Sequence, residues 1–366
     1  MATNYVIQMK QYNGTDYDNL YPVGIAANAI IEATVGATLT ATDGVTTLTG
    51  TSTGTYTFLI PNYGTWTFTS VYNSTTLIRT LIINVSQIYN IDLITSDILN
   101  DNSWDRIQQI AQASTGSNYW SVGDAKQITI NGTVGLTSIS NYSVWAFILG
   151  FNHNSSREGA NRIHFQIGRT AQTYSTTNAI CFVDSTYGSY NGNAGSFTMN
   201  PASDSTASTN SGGWNNSKMR LNLLGATATP TSPTANTFLA AMPSDLRAVM
   251  KSITKYSDNT GGGSNTASYV TATTDYLWLL AEYEVQGART YANSAEQNYQ
   301  LQYDYYKNGN SKIRYPHTST GTTAYWWLRS VYSDYDRCFC YVNTGGGAFV
   351  GDSGYCYGVA PAFAVG

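Results

Sequence analysis

Between residues 23 and 97 apolar and polar side chains alternate with a period of two. That spacing turns one face of an extended strand toward a core and the other toward water. Over 56–60 and again over 66–69 the aromatics Tyr56, Phe58, Trp66 and Phe68 fall on one face of their strand. Pro61, Asn62, Tyr63 and Gly64 lie between the two runs as a turn, which predicts a hairpin. Asp43-Gly44 marks another turn between threonine-rich strands, and Leu81, Ile83 and Val85 carry the alternation further. Several short strands with almost no helical signal predict a small Ig-like β-sandwich over 23–97.

Near residue 98 the pattern changes. Ser103 is placed to cap a short helix in which Trp104, Ile107 and Ile110 recur at helical spacing and Asp105 sits in the first turn. Strands are predicted over 127–130 and 142–149. A second helix, capped by Ser244 after Pro243, runs through Leu246, Val249 and Met250. A strand over 276–280 leads into Glu282 and Glu284, and 325–330 form a further apolar run. Few helices, many short strands and long polar loops predict one α+β domain over 98–366, in a chain that is mainly β.

Composition narrows the function. Only 11% of the 366 residues are charged and the net charge is −4. Solubility therefore rests on Asn, Ser, Thr and Gly. No Lys/Arg run offers a phosphate backbone a footprint, so nucleic acid is not an expected partner. The first residues lack the basic and apolar regions of a secretory signal, and no apolar stretch approaches the roughly 18–20 residues of a membrane span. An extracellular-looking composition without an export signal fits a virion protein, folded in the host cytoplasm and released by lysis. The four cysteines, Cys181, Cys338, Cys340 and Cys356, read as free thiols or one local disulfide. His153, His164 and His317 have no ligand-like spacing, so neither metal nor cofactor is expected.

The end of the chain is the most informative part. YWWLRS, an aromatic and glycine-rich stretch, and a closing GVAPAF resemble a C-type-lectin-fold family abundant in phages and bacteria of the gut. SWDRIQQIA, YWSVGD, GFNHN, GGWNNSKMR and LWLLAEYE carry the resemblance back to about residue 100. Some members are the variable proteins of diversity-generating retroelements, in which reverse transcription randomises adenines at the 3′ end of the gene. Phage tropism determinants with this fold are trimers at the tail tip. The resemblance therefore implies a homotrimeric receptor-binding protein of the virion, directed at a host cell-surface protein or glycan. The opening MKQYNGTDYDNLYP resembles the start of small phage tail and baseplate proteins. It implies an attachment strand or collar over 1–22 that contacts other tail proteins, with 23–97 as a spacer of the Ig-like kind common in phage tails.

Adenine randomisation of an Asn codon cannot produce Lys, Glu, Gln, Met or Trp, and residues 331–358 contain none of them. A window free of all five arises by chance about once in twenty. Within 331–357, Tyr332, Asp334, Tyr335, Asp336, Arg337, Tyr341, Asn343, Phe349, Val350, Gly351, Asp352, Tyr355 and Tyr357 are all reachable from Asn and form the expected ligand-binding surface. They alternate with expected scaffold positions Phe339, Val342, Gly347, Ala348 and Gly358, and Trp326, Trp327, Leu328, Val359 and Phe363 are the expected packing beneath. Tyrosine suits such a surface because it offers large contact area with little rotamer entropy to lose.

Other chemistries find less support. The Glu-Pro-Asn, Gln-Pro-Asp and Trp-Asn-Asp triplets of calcium-dependent lectins are missing. Formylglycine-generating enzymes share the superfold and use paired cysteines, but the context of Cys338 and Cys340 does not match theirs. Glu282 and Glu284 read as surface carboxylates on a strand, with Arg289 and Arg314 as partners. Gly261-Gly262-Gly263-Ser264 reads as a flexible loop without the Lys of a phosphate cradle. The chain is expected not to be an enzyme. The alternative readings are a structural baseplate or tail subunit without a receptor role and, less favoured, a formylglycine-generating-like enzyme.

Overall fold

Threonine, valine and aromatic residues at period two build strands because branched and ring side chains pack well on a pleated surface. The computed structural model describes residues 10–12, 17–19, 25–73, 75–193, 195–204 and 206–366. The fold is mainly β, and the chain divides into two units, 1–96 and 97–366. The attachment strand expected over 1–22 lies outside the described residues, apart from a short antiparallel pairing of Lys10–Tyr12 with Tyr17–Asn19.

In the first unit a three-stranded sheet faces a four-stranded one. Ala27–Ala33 lies between Thr55–Ile60 (antiparallel) and Ile88–Leu93 (parallel), so the first and last strands of the sandwich pair directly. The second sheet runs Thr47–Thr51, Thr38–Thr42, Gly64–Tyr72, Thr75–Ile83. Ala29, Ile31, Leu39, Phe58, Trp66 and Phe68 fill the space between them. Asp43 closes its turn by accepting from the Val45 and Thr46 amides at 2.9 and 2.6 Å. One expectation fails. The runs around Phe58 and Trp66 are not a hairpin, since Thr55–Ile60 and Gly64–Tyr72 belong to different sheets. Both inner faces of a sandwich need the same alternation, so the pattern identifies a strand but not its partner.

The second unit is built on a five-stranded antiparallel sheet: Ala125–Val134, Thr137–Phe151, Ile163–Arg169, Ala362–Val365, Met250–Lys251. The end of the chain is thus an inner strand, buried along its whole length. The helix Trp104–Gln112 turns Trp104, Ile107, Ile110 and Ala111 inward, with Ser103 accepting from the Arg106 amide as its cap. The second expected helix forms as Ser244–Val249, but Pro243 is the cap, Ser244 is helical and Met250 has passed into a strand. Glu282 and Glu284 lie on the short helix Glu282–Gln286 rather than on a strand. A three-stranded antiparallel sheet, Trp326–Val331, Cys338–Val342 and Ala348–Asp352, carries the tyrosine-rich segment. Trp326, Trp327 and Leu328 of its first strand are buried, as are Val359 and Phe363, the latter in the closing strand of the five-stranded sheet. Among the described residues no helix is long and apolar enough to cross a membrane.

Candidate functional site

Strand Trp326–Val331 is buried at every residue, and its partner Cys338–Val342 is nearly so. The third strand, Ala348–Asp352, shows the alternation of a half-exposed edge, with Phe349 outward. Residues 332–337 leave the sheet as a loop whose main chain is held in place. The buried Asn210 donates from Nδ2 to the carbonyls of Tyr335 (2.8 Å) and Cys338 (3.0 Å). Its own amide and the Thr209 hydroxyl donate to the Asp336 carbonyl at 2.8 and 3.0 Å. The Ser353 amide donates to the Arg337 carbonyl at 2.8 Å. Four successive carbonyls are therefore engaged, and the donors to two of them, Tyr335 and Asp336, come wholly from outside the segment. The side chains of Tyr335, Asp336 and Arg337 make no hydrogen bond or ring contact among the described residues.

The triple glycine is part of this anchorage and not a free loop. Gly262 donates its amide to Asn210 Oδ1 at 2.8 Å. Gly261, at φ +66°, packs so closely on the Asn210 carbonyl that a Cβ there would collide with it. Glycine is the residue that meets both demands.

The thirteen expected surface residues separate on this frame. Asp334, Tyr335, Asp336, Arg337, Phe349 and Tyr355 are exposed. Tyr332 and Val350 are half-buried, Tyr332 with its ring against Tyr291 and Val350 packed on the core. Asn343 accepts from the Gly345 and Gly347 amides at 2.9 and 3.1 Å, so its side chain closes the turn between two strands. Asp352 accepts from the Gly354 amide at 3.0 Å and from the Ser208 hydroxyl. Three placements contradict the expectation. Tyr341 and Tyr357 are buried, at 6% and 9% exposure, and Gly351 is buried beneath their rings. The reason is that the small sheet has a second aromatic layer: Trp327 lies 4.7 Å from Tyr357, which lies 4.8 Å from Tyr341. Burial pushes the Tyr341 hydroxyl up to about 12 and the Tyr357 hydroxyl higher still. Among the scaffold positions, Phe339, Val342 and Gly358 are buried, but Gly347 is exposed and Ala348 half-exposed.

Sequence reasoning missed the residues that extend this layer from elsewhere in the chain. Exposed Tyr190 meets Tyr355 edge-on at 5.5 Å, and Tyr355 stacks on Tyr357 at 5.6 Å. At the other end Phe349 touches both Tyr341 (5.8 Å) and Tyr291 (5.9 Å). A chain of rings thus runs Tyr190, Tyr355, Tyr357, Tyr341, Phe349, Tyr291, Tyr332, surfacing at several points. No local signal marks Tyr190 or Tyr291, because only the fold brings them to the segment.

Residues 197–366 match the family model described as Domain of unknown function (DUF6273). No curated protein matches the chain. The matched stretch contains Asn210, the triple glycine, the three-stranded sheet and the closing strand.

The unit also holds a buried ionic cluster that the sequence reading placed on the surface. Glu284 bonds Arg329 and Lys255 (2.9 and 3.0 Å), and Lys255 also meets Glu158 at 2.7 Å and the Tyr303 hydroxyl at 2.9 Å. Glu282, equally buried, accepts from the amides of Thr290, Tyr291 and Ala292 at 2.7–3.1 Å. Arg314, expected as a carboxylate partner, is bonded to Gln166 at 2.7 Å and to the Ile180 and Gly168 carbonyls instead. Despite burial, Arg329 and Lys255 hold the Glu284 carboxyl well below the usual range, whereas burial raises Glu158 to about 7. His153, Glu158 and Glu284 bring potential ligand atoms within 4.8 Å of one another. The Lys255 ammonium bonds both carboxylates of that trio and Arg329 bonds Glu284 as well, so the two acids already have two cations beside them. The thiols differ from those of a reactive site. Burial raises Cys338 to about 11 and Cys340 further, which keeps both protonated and weakly nucleophilic.

Proposed function

We propose that the chain is a non-enzymatic receptor-binding protein of a phage tail, a C-type-lectin-like domain carried behind an Ig-like spacer. In this reading the segment 331–357 is a variable ligand-binding surface of the retroelement type, presented by a homotrimer at the tail tip. The ligand is a host cell-surface protein or glycan, and the N-terminal strand attaches to other tail proteins.

The observation that carries the reading is the division of labour in the loop 332–338. Its main chain is held by Asn210, Thr209 and Ser353, while the side chains of Tyr335, Asp336 and Arg337 make no hydrogen bond or ring contact among the described residues. A surface that must accept many residues needs that arrangement, because a fixed backbone tolerates replacement only where side chains carry none of the stability. The exposed rings of Tyr335, Phe349 and Tyr355 supply rigid contact area of the kind paratopes use. The variable positions are accordingly 334–337, joined by the exposed 349 and 355, which rest on the ring layer, with Tyr341, Gly351 and Tyr357 as scaffold.

The test is a triple variant, Tyr335→Ser, Phe349→Ser and Tyr355→Ser, carried on the virion. Adsorption to host cells is expected to fall by orders of magnitude while stability stays within about 1–2 kcal/mol, as for surface sites. Undiminished adsorption by a correctly assembled virion would favour a purely structural subunit.

A further inference from the structure

Tyr335, Phe349 and Tyr355 are exposed rings of the tyrosine-rich segment itself, whereas the exposed ring of Tyr190 reaches the same surface from elsewhere in the chain. Hydrogen bonds of the main chain bring it there. The buried Asp184 closes both ends of the excursion 185–196. Its Oδ1 accepts from the amide and the hydroxyl of Thr186, each at 2.8 Å, and its Oδ2 accepts from the Phe197 amide at 2.6 Å. Between those ends the excursion runs antiparallel to residues 354–356. The Gly188 amide donates to the Cys356 carbonyl at 2.8 Å, the Cys356 amide to the Ser189 carbonyl at 2.9 Å, and the Asn191 amide to the Gly354 carbonyl at 2.9 Å. These bonds set Tyr190 directly opposite Tyr355.

The side chain is placed as well as the backbone. The Tyr190 ring lies over Gly354 so closely that a Cβ there would come within 2.6 Å of it, and it meets the Tyr355 ring at 87°. Even so, 52% of the residue is exposed, and its hydroxyl makes no hydrogen bond among the described residues. A ring fixed along one side and open on the other has little rotamer entropy to lose when a partner covers it, which makes it an efficient anchor. Substitution within 331–357 replaces Tyr335, Phe349 or Tyr355 but leaves Tyr190 in place.

We propose that Tyr190 is a constant binding residue of the receptor surface, contacting the host ligand beside position 355 and keeping an aromatic anchor there whichever residue 355 carries. This inference rests on the receptor-binding reading above and adds to it a residue from outside the variable segment.

The test compares virions carrying Tyr190→Ser, Tyr190→Phe and the triple variant Tyr335→Ser, Phe349→Ser, Tyr355→Ser. Host cells are the probe, adsorption is the readout, and the melting temperature of each purified chain is the control. Tyr190→Ser is expected to slow adsorption at least about tenfold, as for an anchoring tyrosine, while the melting temperature stays within about 2 °C of the parent. Tyr190→Phe keeps the ring and should recover most of that loss. Adsorption of Tyr190→Ser at the parental rate overturns the proposal, as does a loss accompanied by a larger fall in melting temperature, which would make the ring a structural element. A triple variant that adsorbs normally removes the receptor-binding reading and this inference together. A triple variant that fails to adsorb, beside a normal Tyr190→Ser, removes this inference alone.

Discussion

Replacing Asn210 tests the anchorage of the tyrosine-rich loop most directly. Asn210→Ala removes the donor to the Tyr335 and Cys338 carbonyls and the acceptor for the Gly262 amide. The Cys338 carbonyl retains the Tyr332 amide at 2.9 Å, so two main-chain groups, Tyr335 O and Gly262 N, lose the partner described for them. Both groups belong to exposed residues, where water can partly replace the lost partner, so each loss costs about 0.5–1.5 kcal/mol and the expected destabilisation is about 1–3 kcal/mol. Asn210→Asp is more discriminating. It keeps the size and the oxygen for Gly262 but turns an oxygen toward two carbonyls, and repulsion should make it at least as damaging as alanine. Urea unfolding followed by tryptophan fluorescence reports mainly on the second unit, since only Trp66 of the eight tryptophans lies in the first. Hydrogen exchange should rise across residues 333–338 in both variants. An Asn210→Asp variant within about 0.5 kcal/mol of the parent would refute the argument, because it would mean that the side-chain donors do not hold the loop.

Three further outcomes are expected. Tyr357→Ser should cost about 2–4 kcal/mol in equilibrium unfolding, like other large-to-small core changes, whereas Tyr335→Ser should stay within about 1 kcal/mol; equal effects would contradict the layered placement. Glu284→Gln leaves Arg329 and Lys255 short of a counter-charge and should cost about 3–5 kcal/mol by the same measurement. His317 accepts from the Val183 amide at 3.2 Å and is lowered by burial to about 4. Its contribution is full above the ordinary value near 6.5 and is lost as pH falls through about 4, because protonation removes the acceptor. Melting temperature against pH should fall less steeply over that window in His317→Asn, whose amide oxygen accepts without titrating. Buried Glu296, raised to about 7, works in the opposite sense between about 4.5 and 7, so the comparison between the two proteins, not the parent curve, is decisive.

Local pattern was enough for elements whose partner does not matter. Period-two alternation marked the strands of the first unit, Ser103 and the spacing of Trp104, Ile107 and Ile110 marked a helix, and the mainly β class followed. The apolar run around Trp326 and Trp327 could be read as core because every face of that strand is enclosed. What failed was pairing. Phe58 and Trp66 show the same alternation whether their strands share a sheet or face one another across a core, and only the register separates the cases.

The same limit governs the site. Sequence alone determined that 331–358 is rich in tyrosine, glycine and aspartate and free of Lys, Glu and Gln, since those are properties of composition. Tertiary structure alone decided which tyrosines face water. Tyr335 and Tyr341 are alike as residues, but Tyr341 sits over Trp327 and beneath Phe349, whereas Tyr335 lies in a loop held from behind by Asn210, 125 positions earlier in the chain. Likewise, Glu284 read as a surface acid because its partners, Lys255 and Arg329, stand 29 and 45 positions away. Burial and charge pairing are sums over neighbours in space, and a chain this rich in loops brings most of those neighbours from afar.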